Sequence, residues 1–251
     1  GCSVGFVAIA FVAIQQAIGI PFESEGCWQT GRPLGYVILM YLIAVSFVLA
    51  GYLKDRNNAF KNYKNLLKRP GNGKYNFAEL DGMGAVLINM GVNTFICTTY
   101  LILIGGDFCG GTIGPIFTVI GFSAQGKHAK NILPIIIGCF IGSLISPSAS
   151  PVTHGVQMGT FLGTTLAPMA GTYGPIAGII TGIMHCYAVL KTGGCYAAAN
   201  LYNNGFCGAV VMTVLYPVFR HFFKENTYVD PSPSMAHRSD RSGTKGETVL
   251  K

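Results

Sequence analysis

Between positions 83 and 222 the chain carries one acidic residue, Asp107, and four basic ones, Lys127, Lys130, Lys191 and Arg220. A water-exposed surface cannot be built from so few charges. Uncharged apolar runs of about 20 residues match the thickness of a bilayer core. Segment 34–53 is such a run, and 1–20 is another, interrupted only by Ser3, Gln15 and Gln16. Half of the chain is hydrophobic and its mean hydropathy is +0.46. Twenty-two of its 34 glycines fall in the 83–222 region. Small residues let membrane helices approach closely. The expected fold is therefore an all-α, polytopic transmembrane bundle.

Eight apolar segments are predicted: 1–20, 34–53, 83–105, 112–124, 131–147, 156–170, 174–190 and 204–222. They organise into two N-terminal segments (1–53), a basic linker (54–82), a Gly-rich core (83–223) and a disordered tail (224–251), which is rich in Ser, Pro and charge. Within the linker, Ala59, Phe60, Tyr63, Leu66 and Leu67 have the spacing of a short interfacial helix. Segments 112–124 and 156–170 are too short to span straight, which predicts half-helices or re-entrant hairpins. Seven of the 17 basic residues lie between Lys54 and Lys74. Basic loops stay on the cytoplasmic side. That rule puts 54–82, the Lys127–Lys130 loop and the C-terminal end inside, and the 21–33 loop with Glu23 and Glu25 outside. The localisation expected is the cell membrane.

Two stretches sixty positions apart echo each other. Thr112-Ile-Gly-Pro-Ile-Phe-Thr-Val-Ile-Gly and Thr172-Tyr-Gly-Pro-Ile-Ala-Gly-Ile-Ile-Thr share five of ten positions. Paired Gly-Pro breaks in apolar surroundings are what interrupted transporter helices look like, where freed backbone groups face a ligand. If every segment crosses, the two run antiparallel and form an inverted repeat. If 156–170 re-enters, they run parallel. A fainter echo between positions 1–8 and 205–212 predicts that the chain is a piece of a longer protein of two related halves.

The net charge of +7 does not indicate a nucleic-acid partner. The basic residues flank apolar spans, and no stacking aromatics accompany them. The eight cysteines show no metal-ligand or disulfide spacing, including Cys27, Cys109 and Cys195 near span ends. No Ser-His-Asp set, phosphate loop or His pair points to catalysis. His185 and Cys186 are adjacent, but neighbours on a helix point about 100° apart. An enzyme and a cofactor are therefore not expected. The expected partners are the lipid bilayer and a small polar solute or ion, with a homo-oligomer left open. The function expected is a transporter or channel; the alternative is a structural or assembly membrane protein.

Candidate binding residues follow from chemistry at these places. Asp107 is the lone acid of the core, and an intramembrane acid is a functional hypothesis by default. Gly110, Gly111, Thr112, Gly114 and Pro115 would open backbone amides at the first break, with a half-helix starting at Thr112. Thr172, Gly174 and Pro175 would do so at the second. Asn89 and Asn93, one turn apart, could face the same cavity. His185 lies mid-segment. Asn200, Tyr202, Asn203 and Asn204 crowd more amide and phenol groups before a helix than one cap needs. Lys127, His128 and Lys130 read either as anchoring charges or as a gate or anion-attracting vestibule, with His128 able to titrate near neutral pH.

Five stretches resemble a family of prokaryote-type polytopic membrane proteins catalogued as domain of unknown function 1576. They are Asn89-Met-Gly-Val, Gly105-Gly-Asp-Phe-Cys-Gly-Gly-Thr-Ile-Gly-Pro, Gly121-Phe-Ser-Ala-Gln-Gly-Lys-His-Ala-Lys-Asn-Ile-Leu-Pro, Gly163-Thr-Thr-Leu-Ala-Pro and Asn200-Leu-Tyr-Asn-Asn-Gly-Phe. The resemblance covers roughly 80–222. It implies a longer protein with two related halves and supplies no activity. Cys109 and Cys195 stand where the family more often has other residues.

Overall fold

The computed structural model describes residues 2–19, 28–72, 76–196 and 200–226. Expectations on Glu23, Glu25, Cys27, the tail beyond 226 and the Asn200 side chain fall outside the described residues. Every regular element among the described residues is helical. Four helices are long and apolar enough to cross a membrane: Leu34–Lys54, Gly82–Leu103, Pro175–Cys195 and Tyr202–Phe222.

After α1 (Cys2–Ala17), α2 (Leu34–Lys54) starts directly behind Pro33, whose φ is −57°. A proline there loses no helical hydrogen bond. The 21 residues of α2 extend about 31 Å, the depth of a bilayer core. Leu39, Leu42, Leu49 and Leu53 point outward. The linker contains α3 (Ala59–Leu66) and α4 (Phe77–Leu80). Helix α3 is the amphipathic segment the spacing predicts, with Ala59 and Leu66 fully buried.

The core follows as α5 (Gly82–Leu103), α6 (Gly110–Phe122), α7 (Ala129–Ile145), α8 (His154–Gly163), α9 (Ala167–Tyr173), α10 (Pro175–Thr192) and α11 (Asn200–Phe222). The expected 112–124 segment is α6, which begins at Gly110 rather than at Thr112. The expected 156–170 segment is a bent path, α8 and α9 joined by a tight turn at Thr164–Leu166. Pro168 accounts for the bend: it donates no N–H, and its ring would clash with the Thr164 carbonyl in a continuous helix.

These helices alternate between two ends of the bundle. One end is marked by Asp107, the other by Arg69. Helix α6 leaves Asp107 and reaches the Lys127 loop beside Asn89. The α8–α9 pair starts at Gln157 against Asp107 and finishes beside His128 and Lys130. It therefore traverses the bundle and does not turn back. Helix α10 starts where α9 ends, and α11 returns so that Asn226 donates to the Thr172 carbonyl.

Glycines set the closest helix pairs. A Cβ at Gly51 would lie 2.6 Å from the Gly84 carbonyl oxygen, and one at Gly91 2.5 Å from that of Ala44, which joins α2 to α5. Gly138 and Gly182 do the same between α7 and α10. Asn89, Asn93, Thr94, Thr98, Gln157, Thr164, Thr181, His185 and Asn203 are fully buried, while Leu42, Phe95, Ile137, Leu144 and Val214 face outward. Polar groups inside and apolar groups outside is the pattern of a bundle surrounded by hydrocarbon.

Candidate functional site

The 54–82 linker is not a loose loop. Arg69, Pro70 and Gly71 turn back into the bundle and are buried. The Arg69 guanidinium holds the Asp81 carboxylate through Nε at 2.7 Å and Nη2 at 3.0 Å. His128 Nε2 lies 2.8 Å from the Arg69 carbonyl oxygen. Gly71 (φ +74°) and Gly126 (φ +140°) occupy conformations that favour glycine. A Cβ at Gly71 would collide with the Gly126 carbonyl, and one at Gly171 with the Pro70 carbonyl. The segment is thus a wedge between the α6–α7 turn and α9.

Lys127 lies behind this wedge. It is only 5% exposed, which corrects the expectation of a surface charge in a cytoplasmic loop. Its Nζ donates to Thr164 Oγ1 at 2.9 Å and sits 5.1 Å from the centre of the Phe122 ring. Burial lowers its pKa from 10.5 to about 8, because a charged amine loses solvation there. The Lys127 carbonyl accepts from Asn89 Nδ2 at 2.7 Å. Asn89 also donates to the Ser123 carbonyl, and Asn93 to Ser123 Oγ at 2.7 Å. One helical turn apart, the two amides grip the α6–α7 turn. Their Oδ1 atoms are buried without a hydrogen-bond donor.

His128 caps α7 and is 2% exposed. Burial lowers its pKa from 6.5 to about 4, with the Lys130 charge adding to the effect and the Arg69 carbonyl opposing it. It is neutral at pH 7, so the expected titration near neutrality is corrected. Lys130 alone of the three basic-loop residues is exposed.

Outside the wedge a crevice of about 840 Å³ opens at the Arg69 end. Thr172, Gly174 and Pro175 line it with Lys68, His128, Lys130 and Lys224. Gly174 has φ +93° and separates α9 from α10, with Pro175 in the first turn of α10. The second Gly-Pro break and the basic residues therefore share one wall. Glu225, also in the lining, accepts from the Tyr173 hydroxyl at 3.1 Å.

The first break is built differently. Gly114 and Pro115 lie inside α6, and Gly114 has open space beside it. A Cβ on Gly111 would collide with the Trp28 ring. Thr112, the third residue of α6, spends its hydroxyl on the Asp107 carbonyl at 2.6 Å and accepts from the Cys109 N–H. Gly110 is exposed. At the first break Trp28 covers Gly111 and the Thr112 hydroxyl caps the helix start, while Gly110 and Gly114 have open space beside them.

Asp107 holds that end together. Its carboxylate accepts from Trp28 Nε1 at 2.9 Å, the Gly31 N–H at 2.7 Å and Gln157 Nε2 at 3.0 Å. The Trp28 ring stacks on His154 with centroids 4.3 Å apart. Desolvation pushes the Asp107 pKa up, but the hydrogen bonds from Gly31, Trp28 and Gln157 and the nearby His154 outweigh it and hold the carboxyl below its ordinary value.

The remaining candidates form a third group. Asn203 Nδ2 donates to the Val189 carbonyl at 3.0 Å, and its Oδ1 accepts from Thr192 Oγ1, which ties α11 to α10. The His185 ring lies against Gly163, with the Asn204 side chain and the Gly159 backbone as its polar neighbours. Tyr202 is 46% exposed and faces away from these groups. The structure thus gathers Thr172, Gly174, His128 and Lys130 at the crevice, and Asn89, Asn93 and Lys127 just behind it. Asp107, Gly110, Gly111, Thr112 and Gly114 lie at the opposite end. Arg69, Thr164 and Gln157 join the polar groups without having been singled out in the sequence. Only the Arg-Pro-Gly run at 69–71 hinted at one of them.

The family model for a protein of unknown function (DUF1576) matches residues 55–221. No curated protein and no solved structure matches the chain. The matched stretch runs from the turn after α2 to the last turns of α11. It contains the wedge, the buried lysine, both Gly-Pro breaks and most of the crevice wall. Two thirds of the sequence and every candidate residue thus lie within that match, and the chain belongs to the DUF1576 family of proteins of unknown function.

Proposed function

We propose that this protein is a multi-pass transporter or channel of the cell membrane for a small polar solute or ion, without enzymatic activity. The observation that carries the proposal is the crevice of about 840 Å³, where a helix break shares a wall with basic residues and backs onto buried amides. Discontinuous helices with polar surroundings are how transporters present backbone groups to a solute. Buried Asn89 and Asn93 oxygens without donors suit a solute or water that brings its own hydrogens. By the distribution of positive charge, the crevice end faces the cytoplasm.

The repeat belongs to the same proposal. Helix α6 runs toward the crevice end and α10 away from it, which is the antiparallel relation an inverted repeat requires. Their breaks differ locally, because Gly174 takes a left-handed conformation and Gly114 a helical one.

The close glycine contacts between α2 and α5 and between α7 and α10 favour the second reading, a structural membrane protein whose small residues only seat helices. The experiment uses the full chain in lipid nanodiscs, with T172C exposed to a membrane-impermeant maleimide. The same protein is screened by thermal shift against inorganic ions and polar metabolites. Labelling of T172C together with a saturable stabiliser is expected. Unlabelled T172C and a flat screen would leave the structural reading standing.

A further inference from the structure

We propose that Lys127 is the binding group of an internal site for a small inorganic monoanion of about chloride size, filled from the basic crevice. The inference deepens the transport reading, and rests on it for passage of the anion but not for its binding.

The first observation is an uncompensated charge. An ammonium has three N–H donors. The Lys127 group gives one to Thr164 Oγ1 and sits beside the Phe122 ring face. Thr164 Oγ1 in turn donates to the Phe161 carbonyl, so toward Lys127 it is an acceptor. The titratable side chain that faces Lys127 is the Cys97 thiol of α5. Among the described residues, Asp81 is engaged by Arg69, and Asp107 by Trp28, Gly31 and Gln157 at the opposite end. Breaking a buried pair leaves a charge that is strongly destabilising. Lys127 has that character in the intact fold, and a bound anion removes it.

The second observation is independent. The crevice on the other side of the wedge carries Lys68, Lys130 and Lys224, with Glu225 the one acid among the described residues of its lining. A concave surface of one sign concentrates counter-ions. Lys127 is adjacent in sequence to His128, which lines that crevice. The Lys127 side chain is 5% exposed, which limits a ligand there to a small ion. Asn89 and Asn93 fix the Lys127 backbone through its carbonyl and act as positioning residues.

The test is thermal unfolding of the full chain in detergent at pH 7, with sodium gluconate replaced stepwise by sodium chloride at constant ionic strength. A saturable rise in unfolding temperature with chloride is expected. It is retained in K127R, absent in K127M, and shifted to higher chloride concentration in the K68Q/K130Q/K224Q variant. The wild type is also titrated from pH 7 to pH 9.5. Loss of the chloride response over that range is expected, because Lys127 loses its proton while surface lysines keep theirs. This arm needs no variant to fold. A wild type indifferent to chloride, a K127M protein that still responds, or a response that persists at pH 9.5 overturns the site. Chloride flux into proteoliposomes is measured separately. Binding without flux keeps the site and removes transport; flux of another solute without a chloride response does the reverse.

Discussion

Arg69 and Asp81 form a two-bond ion pair whose side chains are 4% and 3% exposed, in a segment that composition marks as a solvated basic linker. Removing one partner of a buried pair costs about 3–5 kcal/mol, because the other charge stays behind. D81A is therefore expected to unfold at markedly lower denaturant than wild type. The double variant R69M/D81L should recover most of that loss. Equal loss in the single and double variants would show that the wedge, and not the pair, sets stability.

Lys127 makes stability depend on pH in one direction. Its folded pKa is about 8 against an ordinary 10.5, so between those values the unfolded chain binds the extra proton. Stability should rise with pH across that window and be lowest, for this group, below pH 8. The full depression corresponds to roughly 3 kcal/mol. Subtracting the K127M curve from that of wild type isolates the contribution of this group. A difference curve flat from pH 8 to 10 would contradict the burial.

His128 acts at the acidic side. Its folded pKa near 4 lies below the ordinary 6.5, so the unfolded chain takes up a proton first as pH falls. Stability should drop from about pH 6.5 down to about pH 4 and then level for this group. H128N should flatten that limb in a denaturant titration repeated at each pH.

The two Gly-Pro breaks respond differently to the same substitution. G114A adds a methyl group in open space within a helix, and is expected to stabilise by about 0.5–1 kcal/mol. G174A meets no neighbour but must hold φ +93°, at a cost of about 1–2 kcal/mol. Equal effects on the unfolding temperature would make the breaks conformationally alike.

Sidedness is checked by single cysteines at Arg32 and Lys61, both exposed, in a background without other reactive thiols. Labelling by an impermeant reagent from opposite sides of sealed vesicles is expected. Labelling from the same side would sink the charge-derived topology.

The long helices were legible because uncharged length is itself the signal. α2, α5, α10 and α11 each keep about 20 residues without interior charge, and nothing but a bilayer core asks for that. The amphipathic α3 was legible from a different signal, the spacing of Ala59, Phe60, Tyr63, Leu66 and Leu67. The site was only partly so. Lys127 and Lys130 stand three positions apart in one basic run, yet one is sealed and the other exposed. A charge count cannot separate them, because their difference is made by Arg69–Gly71, distant in sequence. Asp107 was located but its hydrogen-bond partners were not. Its partners Trp28, Gly31 and Gln157 come from two remote segments, and no local pattern announces them.

The wedge at Arg69–Gly71 also orders assembly in time. Its socket needs Gly126 from the α6–α7 turn and Gly171 from α9, and the last of these is synthesised about a hundred residues later. At about 5–20 residues per second, the segment waits some five to twenty seconds on the ribosome before its second wall exists. Closure of this end of the bundle thus follows the synthesis of α9. A substitution that adds a side chain at Gly171 should leave the spans inserted while the newly made protein stays open at that seam and exposed to quality-control proteases.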